Sequence, residues 1–149
     1  GQIDKRNLYD DYAHHPNEIK ETIKLGKLFS KQKNIESQKR RLIAIFQPHR
    51  YSRVKQFASE FAKELSKADV IYVTSIYGAG ERNEDKINSK IITDLIYKQN
   101  KNVSYINNYH EITKNFYKLT QEGDLILNMG AGDCHDFWSI LNGKNIKKF

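Results

Sequence analysis

Apolar residues recur along the chain in two patterns. The runs at 41–46, 70–74, 103–106 and 124–128 are short and largely apolar, with β-branched residues prominent at Val70, Ile71, Val73 and Thr74. Such runs predict strands, and residues 7–9 read as the end of another short one. Between them the apolar positions spread to helical spacing. Val54, Phe57, Ala58, Phe61, Ala62 and Leu65 fall at i, i+3, i+4, i+7, i+8 and i+11, one face of a helix. Ile19, Ile23 and Phe29 mark a helix from Pro16 to about residue 33, with proline in the first turn, where its missing N–H is harmless. Ile87, Ile91 and Leu95 mark another, and residues 109–119 a fourth. Asp133 is placed to cap a last helix through Trp138 and Leu141. The first nine residues are polar and read as the tail of a linker.

Strands alternating with helices predict an α/β domain built on a largely parallel sheet. Unbroken rather than alternating apolar strands agree, because parallel strands are buried on both faces. No repeat or Pro/Gly/Ser-rich linker divides the chain, so residues 1–149 read as one domain. Such sheets bind ligands beyond the carboxyl ends of their strands. Four segments follow predicted strands and should therefore meet at one edge: 10–15, 47–53, 77–83 and 130–133.

Composition narrows the class. The 149 residues are 38% hydrophobic and 29% charged, with 11% aromatic, enough to build a core and too ordered a mix for a disordered chain. No run approaches the roughly 18 apolar residues of a membrane span, and the N-terminus lacks the apolar core of a signal peptide. The single cysteine, Cys134, rules out an internal disulfide and suits a reducing, cytoplasmic setting. The one methionine is Met129 and the chain begins Gly1-Gln2. Either an initiator methionine was trimmed or the chain is a piece of something longer. Net charge is +7, with 25 basic residues against 18 acidic. Three readings stand: a solvated basic face, a polyanion surface, or local attraction of a small anion. Among the basic residues 19 are Lys and only six are Arg, whereas readers of nucleic-acid bases lean on the arginine fork.

Two runs concentrate chemistry. Asp10-Asp11-Tyr12-Ala13-His14-His15-Pro16 places two carboxylates, a phenol and two imidazoles between a strand and a helix. It reads as a ligand site at a helix N-terminus, as a pair of metal ligands, or as a helix cap made by Asp11 or His15. Gln47-Pro48-His49-Arg50-Tyr51-Ser52-Arg53 sets two of the six arginines three apart at a helix start. That spacing puts both guanidinium groups on one helix face, suited to a carboxylate or phosphate. A purely structural use is less attractive, because positive charge there opposes the helix dipole. Tyr77-Gly78-Ala79-Gly80-Glu81-Arg82 and Gly130-Ala131-Gly132-Asp133 are Gly-x-Gly turns that could hold an anion or simply turn the chain. The dinucleotide fingerprint, the phosphate loop and the Gly-x-Ser-x-Gly elbow are absent. Cys134, next to His135, reads as a buried, inert thiol rather than an activated one.

At these residues the sequence resembles the C-terminal domain of the Mur ligases of bacterial peptidoglycan synthesis. The resemblance is carried by the run from Asp10 to Pro16 with Glu18 and Ile19, by Phe46 with the run from Gln47 to Arg53, by Tyr77 to Glu81, and by Asp124 with the turn from Gly130 to Asp133. It points to the alanine-adding branch. Ala13 is also found in the related murein-peptide recycling ligase, but the intact His49-Arg50-Tyr51-x-Arg53 favours the former. The resemblance implies a three-layer Rossmann-like domain with a mostly parallel sheet of five to six strands. It implies one part of an ATP- and Mg2+-dependent ligase that joins L-alanine to UDP-N-acetylmuramate through an acyl phosphate. The N-terminal uridine-nucleotide domain and central ATP domain are its own partners, and neither nucleic acid nor a membrane is. Under that resemblance Arg50 and Arg53 clamp the alanine carboxylate, and His49, Tyr12 and His14 complete the pocket. Asp10, Asp11 or Asn17 contacts the ATP ribose, and no residue here ligates metal. The isolated domain is expected to be inactive. The competing classes are a basic nucleic-acid-binding module and a free-standing small-molecule binder.

Overall fold

The computed structural model describes residues 1–32 and 39–141. Six strands form one sheet in the order β1-β2-β6-β3-β4-β5. They are β1 (Gln2–Ile3), β2 (Arg6–Asp11), β3 (Leu42–Phe46), β4 (Val70–Val73), β5 (Val103–Tyr105) and β6 (Leu125–Met129). All neighbours pair parallel except β1 with β2. The helices are α1 (Pro16–Lys31), α2 (Tyr51–Leu65), α3 (Lys90–Tyr97), α4 (Tyr109–Lys114), α5 (Phe116–Leu119) and α6 (Asp136–Leu141).

Because side chains alternate across a strand, the apolar runs feed two cores. Leu42, Ala44 and Phe46 of β3 face α1, α2 and α3 through Ile19, Ile23, Val54, Phe61, Ile92 and Ile96. Ile43 and Ile45 face the other way, toward Tyr109, Ile112, Phe116, Phe137 and Leu141 of α4, α5 and α6. The result is the expected three-layer α/β arrangement. Helix α1 lies so close to the sheet that a Cβ on Gly26 would stand 2.7 Å from Leu127 Cδ1 and 2.9 Å from Leu42 Cδ1. At the end of the sheet away from the strand carboxyl ends, buried Asp124 takes Arg41 Nε and Nη2 at 2.9 and 2.7 Å and the Gln121 amide at 2.8 Å. Nearby Asp69 accepts from the Leu42 amide at 2.8 Å.

Four sequence expectations need correction. The first residues are not a linker tail. They form a hairpin, with Gln2 opposite Asn7 and Ile3 opposite Arg6, turned by Asp4 and Lys5, both at positive φ. Ile3 is buried in the second core, and Arg6 donates from Nε to Thr120 Oγ1 at 2.8 Å. Asp133 does not cap the last helix. It begins a short 3-10 turn, Asp133–His135, after Gly132, and its carboxylate accepts from the Gln47 side-chain Nε2 instead. The helix at 109–119 is broken at Asn115, whose φ of −102° and ψ of 12° leave helical geometry. Ile87 precedes α3, in a loop closed by the Asn83 side chain on the Ile87 amide and carbonyl. The expected end of α1 near residue 33 lies outside the described residues; the described helix closes at Gln32, whose amide donates to Phe29 O. No described helix is long and apolar enough to cross a membrane.

Candidate active site at the carboxyl ends of the strands

The four predicted segments meet at one edge. Strand β6 sits between β2 and β3, so the loops that leave these three strands are neighbours, and the loop after β4 adjoins the one after β3. Asn128 of β6 donates from Nδ2 to Asp10 Oδ1 at 2.7 Å and to the Cys134 carbonyl at 3.0 Å. His49 and Tyr77 form a parallel bridge, with the Tyr77 amide on Pro48 O and the Arg50 amide on Tyr77 O, each at 2.8 Å. The α1 end is fixed by a capping box. His15 is the N-cap, and Glu18 Oε2 accepts from the backbone amides of His14 at 2.9 Å and His15 at 3.0 Å. Those amides hold the Glu18 carboxyl below its usual range.

His14, His49, Arg50 and Arg53 line one open hollow of about 430 Å³, together with His15 and Phe57. Arg53 Nη1 lies 3.3 Å from His49 Nδ1. A guanidinium only donates, so that Nδ1 is the acceptor of a neutral ring whose proton sits on Nε2. Burial holds the His49 imidazole below its usual value, and the charges of Arg53, His14 and Arg50 push the same way. The ring is held between Tyr77, stacked at 5.7 Å, and His14, edge-on at 5.6 Å. Arg50 itself precedes α2 at φ 69° and ψ 134°, a conformation rare for a residue with a side chain. The i, i+3 helix-face argument therefore does not describe it, and it is the bridge to Tyr77 that brings Arg50 beside Arg53.

The other predicted residues are placed differently. Tyr12 is 69% exposed and stands edge-on to His14 at 5.3 Å, outside the hollow's lining. Asp10 is held by Asn128. Asp11 accepts from the Ala13 amide at 3.1 Å and the Thr22 hydroxyl at 2.5 Å, so both its oxygens shape the turn into α1. Asn17 is exposed in the first turn of α1.

The model of the family described as Mur ligase, glutamate ligase domain, matches residues 1–132. The chain belongs to the Mur ligase family. It is 63% identical over 147 residues to the UDP-N-acetylmuramate–L-alanine ligase of Prochlorococcus marinus subsp. pastoris, covering 97% of this chain and 31% of that one. It is 40% identical over 136 residues to the enzyme of the same name from Caldanaerobacter subterraneus subsp. tengcongensis, covering 91% and 28%. The chain thus spans about a third of the length of the curated relatives it matches. Among solved structures, UDP-N-acetylmuramate-alanine ligase from Thermotoga maritima aligns at a TM-score of 0.65 and 26% identity, over 93% of this chain and 27% of that one. A murein peptide ligase from Psychrobacter arcticus shares the fold at a TM-score of 0.69 and 20% identity, over 100% of this chain and 30% of that one.

Within this Mur ligase domain several residues to which the sequence assigned no role in the site help to build it. Gln47 and Asn128 are almost fully buried, and Gln47 Oε1 and Asn128 Oδ1 have no hydrogen-bond partner among the described residues. Their signal was a polar residue at the carboxyl end of an otherwise apolar strand. Glu18 was legible as the fourth residue of a capping box, with histidine in place of the usual hydroxyl. Glu81 accepts from the Ser52 amide at 3.1 Å and its hydroxyl at 2.5 Å, a contact across 29 residues that no local pattern announces. Cys134 is buried, and its thiol donates to Gly130 O at 3.0 Å, as an inert thiol should. The described residues hold no group of three His, Cys, Asp or Glu able to hold a metal ion, and the sequence holds no phosphate loop.

Proposed function

We propose that this chain is the C-terminal, substrate-binding domain of a cytoplasmic UDP-N-acetylmuramate–L-alanine ligase. The observation that supports this most directly is the convergence of Arg50 and Arg53 on one hollow beside a neutral His49. L-alanine offers a carboxylate, an ammonium and one methyl, so its orientation must come mostly from charge. Two guanidinium forks match a carboxylate, each able to donate paired hydrogen bonds. His49 and His14 complete the pocket and orient the amine, Tyr12 stands at its margin against His14, and Asp10, Asp11 or Asn17 reaches the ribose of ATP. ATP and Mg2+ would be held by the rest of the ligase and would supply a phosphoryl group to the muramyl carboxylate with release of ADP; attack of the alanine amine on that carbonyl would then form the amide and expel inorganic phosphate. When this domain closes on the others it keeps water from that acyl phosphate.

Steady-state kinetics of Arg50→Ala in the full-length ligase test the reading. Loss of one charge-assisted contact of about 1.5–3 kcal/mol corresponds to a rise of about 10- to 150-fold in KM for L-alanine. The KM values for ATP and UDP-N-acetylmuramate should stay where they are. An unchanged KM for L-alanine together with an unchanged kcat refutes the assignment.

A further inference from the structure

Helix α2 has an unusual beginning. Its N-cap residue, Arg50, makes no side-chain cap, and its first turn carries Arg53 and no acid of its own. A helix start leaves amide groups without partners and favours negative charge, so a first turn flanked by two arginines should be poorly held. The missing carboxylate comes from another loop. After β4 the chain passes Tyr77 and makes a tight turn in which the Glu81 amide donates to Gly78 O at 3.0 Å, with Ala79 and Gly80 both at positive φ. That turn delivers the Glu81 carboxylate to the Ser52 amide and hydroxyl, the second residue of α2. These bonds hold its carboxyl below the usual range, and the charge of Arg50 lowers it further.

Arg50 is consequently gripped from both sides by the same loop. Its own amide is tied to Tyr77 O, and two residues later Ser52 is tied to Glu81. Between the two ties lies the positive-φ backbone of Arg50, a conformation that persists only where its surroundings impose it. We infer that Glu81 is a positioning residue for the arginine pair: it caps α2 from the neighbouring loop and so fixes the direction in which Arg50 and Arg53 enter the hollow. The inference deepens the proposed function and rests on its reading of the arginines as the alanine-carboxylate clamp.

The test uses the full-length ligase, with KM measured for each of its three substrates. Removing the cap in Glu81→Ala should raise KM for L-alanine about tenfold, a modest misplacement on the scale by which about 1 Å costs a hundredfold. The other two KM values should stay within about twofold. Glu81→Gln can still accept from the Ser52 amide and should restore KM to within about threefold of the parent. In an Arg50→Ala/Arg53→Ala background, Glu81→Ala should add nothing further. If Arg50→Ala raises KM for L-alanine and Glu81→Ala does not, the positioning inference fails and the clamp reading stands. If Glu81→Ala raises all three KM values, or Glu81→Gln behaves as Glu81→Ala does, a general structural or purely electrostatic role replaces it. If Arg50→Ala leaves KM for L-alanine unchanged, the clamp reading falls and takes the inference with it.

Discussion

Gly132→Ala tests the packing that places His49. At Gly132 the obstacle to a side chain that the contacts show is space. A Cβ there would stand 2.5 Å from Tyr77 Cγ, 2.8 Å from Tyr77 Cδ2 and 2.7 Å from Gln47 Oε1. Ordinary contact needs about 3.5 Å, so the ring must retreat by about 1 Å. Tyr77 cannot retreat as a whole, because its amide and carbonyl are tied to Pro48 and Arg50. The ring must rotate away from Gly132, and in doing so it leaves the face of His49. Overpacking of this kind costs about 1–3 kcal/mol, and a lost aromatic stack accounts for about 0.5–1.5 kcal/mol of that. Tyr77 is 40% exposed, so rotation into solvent is open to it, which places the cost in the lower part of the range, about 1–2 kcal/mol. For a domain of this size that is a fall in Tm of about 2–8 °C. Calorimetry of the 149-residue chain reads the Tm, and the His49 ring signals in a proton–carbon NMR spectrum read the local change. A Tm within about 1 °C of the parent with unmoved His49 signals would rule out this displacement of the ring.

Two further outcomes follow from the same structure. Asp124→Ala strips a buried carboxylate from Arg41 and the Gln121 amide; breaking buried pairs typically costs about 3–5 kcal/mol, and since Arg41 is 35% exposed at its side chain and can recover water, about 2–4 kcal/mol is expected in urea unfolding, with a loss below about 1 kcal/mol counting against a stabilising role for the pair. Stability should also fall on acidification in two stages. His49 is depressed below its ordinary 6.5 by burial and then by neighbouring cations. The unfolded chain therefore takes up its proton first, and stability falls as pH drops from about 6.5 toward the folded value. Glu18 is depressed below its ordinary 4.5 by the amides it accepts, so its contribution is intact above 4.5 and is lost as pH falls through its folded value. Replacing His49 with Gln should flatten the upper stage in Tm measured against pH, and a slope between about pH 7 and 5 that the replacement leaves unchanged would contradict the direction assigned to His49.

What the sequence disclosed and what it hid divide along one physical line. The apolar runs at 41–46 and 124–128 and the i, i+3, i+4 ladder from Val54 to Leu65 are local patterns, and the elements they predict form as Leu42–Phe46, Leu125–Met129 and Tyr51–Leu65. The rule that parallel sheets expose their loops at the carboxyl ends was enough to bring His14, His49, Arg50 and Arg53 together. Two of the four errors have the opposite property. Residues 1–9 look like a tail because their partners, Thr120 and Tyr117, lie more than a hundred residues away. Asp133 looks like a cap until Gln47, eighty-six residues earlier, claims its carboxylate. Arg50 and Arg53 line one hollow for a reason the sequence did not contain: Arg50 is outside the helix, and its backbone is tied to Tyr77 across the bridge.

The same geometry explains why this domain should be a poor binder alone and a strong one when closed. Arg50 is exposed and the hollow it lines is open, so a carboxylate arriving there keeps much of its water. Two opposite charges about 4 Å apart gain about 1 kcal/mol in water but about 4 kcal/mol at an effective dielectric of about 20. The chain ties the Arg53 guanidinium to His49 and holds the backbone of Arg50 through Tyr77. Among the described residues the hollow stays open to solvent. Under the proposed function, the attraction between clamp and carboxylate therefore grows when a second surface excludes water, the moment at which the proposed acyl phosphate must also be shielded. Amino-acid affinity and protection of the intermediate then depend on one closing motion. An amino acid that binds mainly in the closed state draws the enzyme toward the arrangement in which its amine is the only nucleophile present.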